Sequence, residues 1–222
     1  MLESNIHHIG VITMTNRYVW YASYGSNLSR ERFLCYIRGG RPRGADKEEI
    51  GCRDQSLPID ESTHIMHYPL YFAKASERWQ NQGVGFIGLT KDERWYTYSR
   101  KYLITEEQFT DVVKQENNGA TLNVDFDEVI EHGFKTFRDS WYGTILYIGE
   151  EEGYPIFTFT ADWDLDVLFQ QPSSQYLRMI IYGLKSTLSL DKHEIVAYLI
   201  DKPGIEGNYK ESDIEALVEA EK

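Results

Sequence analysis

The stretch that most limits what this chain can fold into lies near its N-terminus, where a strand, a tight turn and a helix follow one another. Residues 18–23 read Tyr-Val-Trp-Tyr-Ala-Ser, a run that is apolar or small on both faces and therefore predicts a strand covered on both sides. The turn Tyr-Gly-Ser-Asn-Leu follows at 24–28. Residues 29–37 then predict a helix, which ends at Gly39 and Gly40.

The turn is also a candidate anion site. Gly25 tolerates unusual φ angles, and Ser26 and Asn27 are residue types that cap helices. The free N–H groups of such a turn point to one spot, and the dipole of the following helix favours a negative charge there. The residues thus predict a carboxylate-binding turn, although a well-capped turn that binds nothing fits the same pattern.

The length of 222 residues, with 41% hydrophobic and 26% charged residues, is typical of a globular protein with one good core. We predict a single domain over 18–222, with a strand-rich part at 18–160 and C-terminal helices at 173–222. Residues 1–17 lack a basic region and a long apolar core, so we expect a disordered leader and not a secretory signal. Met14 is a second candidate start.

Further strands are predicted where β-branched and aromatic residues alternate with polar ones, and further helices where the apolar period lengthens. The strands are 63–73, which contains Pro69, and 83–89, 94–104, 140–148 and 154–160. The helices are 175–184, 191–200 and a charged, solvent-facing one from Asp213. Residues 38–61 are rich in charge, glycine and proline, which predicts a long surface loop able to fold over a cleft.

Composition opposes several classes of partner and location. The net charge of −12 disfavours binding to nucleic acid or to anionic lipid surfaces. No apolar run in the sequence approaches the roughly 20 residues needed to cross a membrane. Cys35 and Cys52 show no paired spacing, so we expect reduced thiols in a cytoplasmic protein.

No metal or cofactor is predicted. His64 and His67 are three residues apart on a predicted strand, so their side chains point to opposite faces and cannot share a metal. The Gly-x-Gly-x-x-Gly pattern at 83–88 lies within a predicted strand and not before a helix, so it does not indicate a dinucleotide-binding loop.

The most informative helix begins after Thr105. Thr105 and Gln108 fit the capping-box pattern, and the helix body runs over 106–116 before Asn-Asn-Gly at 117–119 stops it. Its apolar residues at i, i+3 and i+4 form a stripe whose i+7 position is Glu116. Glu116 is therefore predicted to be the one carboxylate on the inward face.

Two features are expected to raise the pKa of the Glu116 carboxyl, namely its apolar surroundings and its place in the last turn of a helix. A glutamate with an unperturbed pKa of about 4.3 is a poor base toward an amine that titrates near ~8. A raised pKa makes the carboxylate a useful base. The alternative is that Glu116 reaches water and caps a backbone group, and Glu106, Glu107 and Glu128 are weaker candidates for the base.

Three segments resemble the gamma-glutamylcyclotransferases. Residues 18–33 closely resemble the opening strand and loop of that family, whose hallmark is the Tyr-Gly-Ser-Asn-Leu string at 24–28. Glu116 and the glutamine before it resemble the context of the family's catalytic glutamate at a helix end, with the glycine displaced to Gly119. Residues 172–183 resemble the late Pro-Ser-x-x-Tyr segment that leads into a helix ending in glycine.

The resemblance implies an α+β fold with a small mixed β-barrel of about six strands and flanking helices. It implies Glu116 as the catalytic residue and the loop as the part that holds the glutamyl head group. The substrate-binding residues that it implies are Tyr21, Ala22, Ser23, Tyr24, Gly25, Ser26, Asn27, Leu28, Tyr142 and Tyr176. Where the family often has a further tyrosine on the returning strand, this chain offers Phe157 or Phe159, so one polar contact is expected to be missing.

From these features we expect a cofactor-free enzyme whose partner is a small γ-glutamyl substrate. Intramolecular aminolysis would release 5-oxoproline and a free amine, a reaction of acyltransferase or lyase type. The alternative is a non-catalytic binding or regulatory module for an acidic, glutamyl-like metabolite. The leaving amine stays open between an amino acid, a dipeptide, a polyamine and a carrier-bound group, and assembly stays open between a monomer and a homodimer.

Overall fold

The computed structural model describes residues 17–42 and 47–221. The predicted leader therefore lies outside the described residues except for Arg17, and residues 43–46 of the predicted loop and Lys222 lie outside them as well.

The described residues form eight strands, six helices and two short 3-10 turns. The strands are β1 (Tyr18–Ser23), β2 (Asp60–Met66), β3 (Leu70–Ser76), β4 (Gln82–Ile87), β5 (Thr97–Thr105), β6 (Phe134–Thr136), β7 (Thr144–Glu151) and β8 (Tyr154–Thr160). The helices are α1 (Arg30–Arg38), α2 (Glu106–Glu116), α3 (Phe126–His132), α4 (Ser174–Leu188), α5 (Lys192–Ile200) and α6 (Glu211–Ala220). The 3-10 turns are Ser26–Leu28 and Glu77–Trp79.

Six strands form one mixed sheet in the order β2-β5-β1-β8-β7-β6. Neighbouring strands are antiparallel except β1 and β8, which run parallel with Trp20 opposite Ile156. The predicted α+β class, with a mixed sheet of six strands and flanking helices, is confirmed. β2 and β6 are the edges, and among the described strands no pairing between them closes the sheet into a barrel.

Strand β1 is buried on both faces, as its sequence predicts. Val19 and Tyr21 belong to a first core that includes side chains of α1, α2 and α3. Trp20 and Ala22 belong to a second core that includes β3, β4 and the three C-terminal helices. Successive side chains of a strand point to opposite faces, so an unbroken apolar run needs cover on both sides. The end of β1 is thus fixed between two packed layers, which positions the turn that follows it.

Strands β3 and β4 form a separate two-stranded sheet, and side-chain hydroxyl groups bond the backbone of β4. The N–H and C=O groups of Ile87 lie 3.2 and 2.8 Å from Thr160 Oγ1. The N–H group of Gly85 donates to the Tyr176 hydroxyl and its C=O group accepts from the Tyr142 hydroxyl, both at 3.1 Å. Side-chain hydroxyl groups thus bond two residues of β4, and Val84 and Gly85 of this strand line a cavity.

Two predicted elements differ in the structure. The predicted strand 63–73 is divided between β2 and β3, which belong to different sheets. Pro69 lies between β2 and β3. Because a proline has no N–H group to donate to a neighbouring strand, the predicted strand is interrupted there. The helix predicted to face solvent, α6, buries Ile214 and Val218 against the second core. Over the part of the chain that is described, no helix combines the length and the apolar character needed to span a membrane.

Candidate active site

A cavity of about 740 Å³ opens between the end of β1, the end of α2 and strand β4. It brings together eight of the eleven predicted site residues, namely Tyr21, Tyr24, Gly25, Ser26, Asn27, Glu116, Tyr142 and Tyr176. Tyr142 lies shortly before β7 and not on a strand as predicted.

The other three predicted residues do not line the cavity. Ala22 and Leu28 are fully buried in the second core. Ser23 is buried as well and donates its hydroxyl to the Arg100 carbonyl at 2.9 Å. The Leu28 N–H group is engaged too, because it donates to the Gly25 carbonyl at 3.0 Å. Ala22, Ser23 and Leu28 are therefore core residues on either side of the turn, and their contact with substrate stays a prediction.

The turn keeps polar groups that have no hydrogen-bond partner among the described residues. Among the described residues, the N–H groups of Gly25 and Asn27 donate to no main-chain carbonyl. The Ser26 hydroxyl accepts a hydrogen bond from Arg32 Nε at 2.9 Å, so its own proton is left to donate. Asn27 is 5% exposed, and its Oδ1 atom has no described partner. A buried polar atom without a partner costs about 1–3 kcal/mol, which favours the presence of a ligand there.

The turn touches Tyr176, and this contact requires a glycine. A Cβ atom at position 25 would lie 2.9 Å from the Tyr176 hydroxyl oxygen, closer than side chains pack. That oxygen accepts hydrogen bonds from the N–H groups of Gly85, at 3.1 Å, and of Ser26. Both lone pairs are then used, and no described residue accepts the hydroxyl proton. Burial raises the pKa of Tyr176 to about 12, so the hydroxyl stays a donor at neutral pH.

Two other tyrosine hydroxyls of the cavity are committed to main-chain carbonyls of the protein. Tyr24 and Tyr142 donate to main-chain carbonyls at 2.8 and 3.1 Å. The Tyr21 ring stacks on Phe159, with 5.2 Å between ring centres. Of the two phenylalanines considered from sequence, Phe159 lines the cavity and Phe157 lies in the first core.

Glu116 is the last residue of α2, and the predicted capping box of Thr105 and Gln108 forms at the other end of that helix. Gly119, at φ +78°, turns the chain after the helix. The half-buried Glu116 side chain lines the cavity. The Tyr36 hydroxyl donates a hydrogen bond to the Glu116 carboxylate.

The pKa of the Glu116 carboxyl is raised above its ordinary value, and burial is the main cause. The Tyr36 hydrogen bond and the positive charges of Arg32 and Arg78 lower this pKa, while the negative charge of Glu49 raises it. A carboxyl with a raised pKa that faces a cavity has the properties of a general base. The geometry thus places a proton acceptor and a set of hydrogen-bond donors around one space.

The alternative acids lie elsewhere. Glu106, Glu107 and Glu128 do not line the cavity. Each forms an ion pair with a basic residue that also lies outside the cavity. Of the four glutamates considered from sequence, only Glu116 lines the cavity; Glu77 and Asp139 line it as well but are exposed, whereas Glu116 is half-buried.

The charged groups around Glu116 were not identified from the sequence. Arg32 and Arg78 line the cavity, and Arg78 donates to the Glu49 carboxylate at 3.0 Å. Arg32 carries a partial signal, because it lies four residues before Tyr36 and shares its face of α1. Arg78 and Glu49 come from irregular segments, where no periodicity indicates which side chains point inward.

The described residues of this site include no cluster of metal ligands and no reactive cysteine. Within the described ranges, no three or more histidine, cysteine, aspartate or glutamate residues are grouped so that they could hold a metal ion. Cys35 and Cys52 are both free, and burial raises the pKa of the Cys52 thiol to about 12. A thiol with that pKa is a structural group and not a nucleophile at neutral pH.

Comparison with known sequences finds one relative, and the alignment covers only part of that longer protein. No protein-family model matches the chain. Over 204 residues, which are 83% of this chain, the sequence is 34% identical to a protein of Arabidopsis thaliana named Histone deacetylase 5. The alignment spans 30% of the length of that protein.

The solved structures that are similar to this one include three that cover more than nine-tenths of the chain. A structure titled Gamma-glutamyl cyclotransferase has a TM-score of 0.47 and 15% identity, with 92% of this chain and 99% of that chain covered. An uncharacterized protein from Homo sapiens has a TM-score of 0.49 and 15% identity, with coverage of 91% and 99%. A yeast glutamyl cyclotransferase specific to glutathione has a TM-score of 0.35 and 11% identity, with coverage of 93% and 98%.

Proposed function

We propose that this protein is a cofactor-free enzyme of the gamma-glutamylcyclotransferase type. The α-amine of a γ-glutamyl amide attacks the δ-carbonyl carbon of the same molecule. The new C–N bond closes the five-membered ring of 5-oxoproline, and the C–N bond to the leaving amine breaks. The protons lost by the α-nitrogen are gained by the leaving nitrogen, so the reaction consumes no oxidant, reductant or co-substrate.

Each role follows from the position of a group in the cavity. Glu116 takes a proton from the α-ammonium group and returns it to the leaving nitrogen. The unpartnered Asn27 Oδ1 accepts from the same ammonium group before it is deprotonated. The N–H groups of Gly25 and Asn27 and the Ser26 hydroxyl donate to the α-carboxylate or to the negative charge that develops on the δ-oxygen. Tyr176 adds one more hydroxyl proton at this wall.

One observation carries the proposal: a glutamate whose pKa is raised shares a single cavity with the donor-rich turn at 25–27. Because nucleophile and electrophile belong to the same substrate molecule, the protein needs only to fold that molecule and move its protons. Well-oriented intramolecular reactions reach effective molarities of about 10⁵ M or more, which is consistent with so small a set of catalytic groups.

A second candidate function is a binding module that holds a glutamyl-like metabolite without turnover. Phe159 favours it, since this side chain lines the cavity where a tyrosine is expected and supplies no polar contact. The displaced Gly119 after Glu116 favours it as well, because the helix end then differs from the expected pattern.

A screen of γ-glutamyl amines, with mass-spectrometric detection of 5-oxoproline, tests the proposal. Wild type, Glu116→Gln and Glu106→Gln are compared. Glu106 is the matched control, because it lies at the opposite end of α2 and burial raises the pKa of its carboxyl as well. We expect product from wild type and Glu106→Gln, and about 10²- to 10⁴-fold slower product formation by Glu116→Gln.

Circular dichroism and ligand-induced thermal shifts on the same samples control for folding and binding. A folded Glu116→Gln variant that forms 5-oxoproline at the wild-type rate contradicts the role of Glu116. Thermal stabilisation by glutamyl compounds, with no product from wild type across the whole panel, supports the binding module and contradicts the enzyme.

A further inference from the structure

A buried pair of opposite charges lies at the cavity wall, where Arg32 lines the cavity. Arg32 is 3% exposed and Glu49 is 8% exposed. Removing such charges from water costs several kcal/mol per ion, and well-packed apolar residues often stabilise a protein as well or better. Stability of the fold is therefore a weak explanation for this pair. Its position beside Glu116 and the turn suggests a task in the cavity.

Arg32 contacts two aromatic rings and also bonds Ser26 of the turn at 24–28. Its Nε atom donates to the Ser26 hydroxyl oxygen at 2.9 Å. Its guanidinium group lies 5.4 Å from the Trp79 ring centre and 5.8 Å from that of Tyr36, within the range of cation–π contacts. Since a hydroxyl that accepts from one side directs its proton to another, this contact orients the Ser26 proton.

Glu49 forms ion pairs with Arg32 and Arg78, two of the cations that line the cavity, where Lys47 and Arg138 also lie. Its Oε1 atom lies 3.0 Å from Arg78 Nη1 and 3.9 Å from Arg32 Nη2. Two hydrogen bonds between the backbones of Gly40 and Glu49, at 3.0 and 2.8 Å, fix this part of the loop. Among the described residues Glu116 forms no ion pair of its own, although the same two cations act on its charge. Glu49 thus occupies the partners that Glu116 would otherwise have.

The groups that face Glu116 from the surrounding elements are few. They are Arg32 and Tyr36 of α1, Arg78 of the 3-10 turn, Glu49 of the loop, Tyr21 of β1, Tyr142 before β7 and Tyr176 of α4. Burial raises the pKa of all four tyrosines, so these hydroxyls stay neutral in the range where a carboxyl titrates. Lys47, Glu77, Arg138 and Asp139 also line the cavity, at exposed positions. The charges that act most strongly on Glu116 are those of the two arginines and Glu49.

We propose that Arg32 and Glu49 are positioning residues of this site. Arg32 orients the Ser26 hydroxyl and supplies positive charge, and Glu49 neutralises the two guanidinium groups so that Glu116 stays unpaired and able to accept a proton. This inference rests on the proposed function, because it assigns a purpose to the charge balance around the base. It predicts that removing the charge of Arg32 and removing the charge of Glu49 shift the titration of Glu116 in opposite directions.

The test compares Arg32→Gln, Arg32→Lys and Glu49→Gln with the control Arg30→Gln. Arg30 is the neighbouring arginine of α1 and forms an exposed ion pair with Glu61 at 2.8 Å, outside the cavity. The pH dependence of kcat/KM for 5-oxoproline release is measured for each variant. A merely structural role of the pair would lower activity without moving the acid limb of this profile.

Loss of a cation removes an interaction that favours the carboxylate, so Arg32→Gln is expected to move the acid limb to higher pH. Glu49→Gln frees both cations to act on Glu116, so its acid limb is expected to move to lower pH, with kcat about 10-fold lower because a more strongly stabilised carboxylate is a weaker base. Arg32→Lys keeps the charge but loses the guanidinium contact with Ser26, so it is expected to keep the wild-type acid limb with a lower kcat. Arg30→Gln is expected to match wild type.

A direct readout that needs no turnover is the NMR titration of ¹³C-carboxyl-labelled glutamate, with the Glu116 signal assigned by its loss in Glu116→Gln. Opposite displacements of the Glu116 titration in Arg32→Gln and Glu49→Gln support the inference. They support it even if no variant forms product, a result that contradicts the proposed function alone. Product formation with a Glu116 titration that is unmoved, or moved in the same direction by both variants, overturns the inference and leaves the function standing. If Arg32→Gln fails to fold, a Glu116 titration that moves to lower pH in Glu49→Gln and is unmoved in Arg32→Lys supports the inference, and one that is unmoved in Glu49→Gln overturns it.

Discussion

Among the described residues Arg32, Lys101 and Lys202 are buried cations, and Arg32 and Lys202 differ in what surrounds their charge. In the cavity, Arg32 contacts Ser26, aromatic rings and Glu49. In the C-terminal part, Lys202 is 6% exposed and lies 4.7 and 4.5 Å from the ring centres of Tyr96 and Tyr198. Its Nζ atom donates to the Tyr96 carbonyl at 3.1 Å. Burial lowers the pKa of Lys202 to about 8.

Burial and a shifted pKa therefore do not by themselves indicate a functional site. The chain itself fills the surroundings of Lys202, whose ammonium group has aromatic and carbonyl partners. The cavity, in contrast, leaves the Asn27 Oδ1 atom without a described partner and offers unused donors at the turn. A shifted carboxyl at Glu116 thus faces space and unsatisfied groups, whereas the shifted amine at Lys202 faces protein.

The largest effect expected from this contrast is the pH dependence of activity. Only an ionised carboxylate accepts a proton, and the pKa of Glu116 is raised by burial. Activity is therefore expected to fall as pH drops through that raised pKa, with kcat/KM lower by about tenfold for each further pH unit. The measurement is the rate of 5-oxoproline release between pH 4 and pH 8 (about the range in which a perturbed carboxyl titrates). An acid limb at or below the ordinary glutamate pKa of 4.5 speaks against a buried base.

The next effect concerns the contact between the turn and Tyr176. In Gly25→Ala, the new Cβ atom would meet the Tyr176 hydroxyl at 2.9 Å, so the turn must shift. Because displacements of about 1 Å near reacting groups cost roughly 100-fold in rate, we expect a loss of that order in kcat. Overpacking at this half-buried position is expected to lower the free energy of unfolding by about 1–3 kcal/mol. Steady-state kinetics and urea denaturation measure the two quantities.

A double variant controls for the cause of that loss. Tyr176→Phe removes the hydroxyl that the new Cβ atom meets, so Gly25→Ala is expected to cost less stability in the Tyr176→Phe background than in wild type. The single Tyr176→Phe variant has its own cost, since the N–H groups of Gly85 and Ser26 lose their acceptor. Strictly additive effects would mean that the turn and Tyr176 are not in the contact described.

The smallest effect is expected from the buried Lys202. Burial lowers the pKa of Lys202 from its ordinary value of 10.5 to about 8 in the folded protein. Between these two pH values the unfolded chain therefore binds more protons than the folded protein does. Stability of the wild type is therefore expected to rise with pH above about 8, once the buried ammonium group can lose its proton. Lys202→Met removes this rise and leaves kcat unchanged. The measurement is the difference in Tm between wild type and Lys202→Met from pH 7 to pH 10 (below about 10, ordinary tyrosines stay neutral).

If Lys202→Met folds normally but has a different kcat, the contrast between Arg32 and Lys202 is contradicted, because Lys202 would then affect the reaction in the cavity. A wild-type Tm that falls from pH 8 upward would also contradict the expected direction of the Lys202 contribution. The tyrosines of the first core act in the opposite sense, but only above their ordinary pKa of 10.0.

Features that depend on local periodicity were predictable from sequence. The two-sided burial of β1 follows from an unbroken apolar run, and the bounds of α2 follow from its capping box and the Asn-Asn-Gly stop. The inward position of Glu116 follows from the same helical period, so the central residue of the site was within reach of sequence reasoning.

Features that depend on contacts between distant segments were not predictable. Glu49 and Arg78 meet through irregular segments, and nothing in the local sequence pairs them. Ala22, Ser23 and Leu28 flank the turn in sequence, and only the packing shows that they lie in the core. The division of the predicted strand 63–73 into two sheets is likewise set by where the rest of the chain packs.

The proposed mechanism is tested most sharply by a crystal structure of the Glu116→Gln variant with an uncleaved γ-glutamyl amide. We predict that the α-nitrogen of the ligand lies about 3 Å from the side chain at position 116, within proton-transfer reach. We also predict that the ligand's carboxylate or δ-carbonyl oxygen accepts from the N–H groups of Gly25 or Asn27. A ligand bound with its α-nitrogen away from position 116, or bound outside this cavity, would contradict the mechanism.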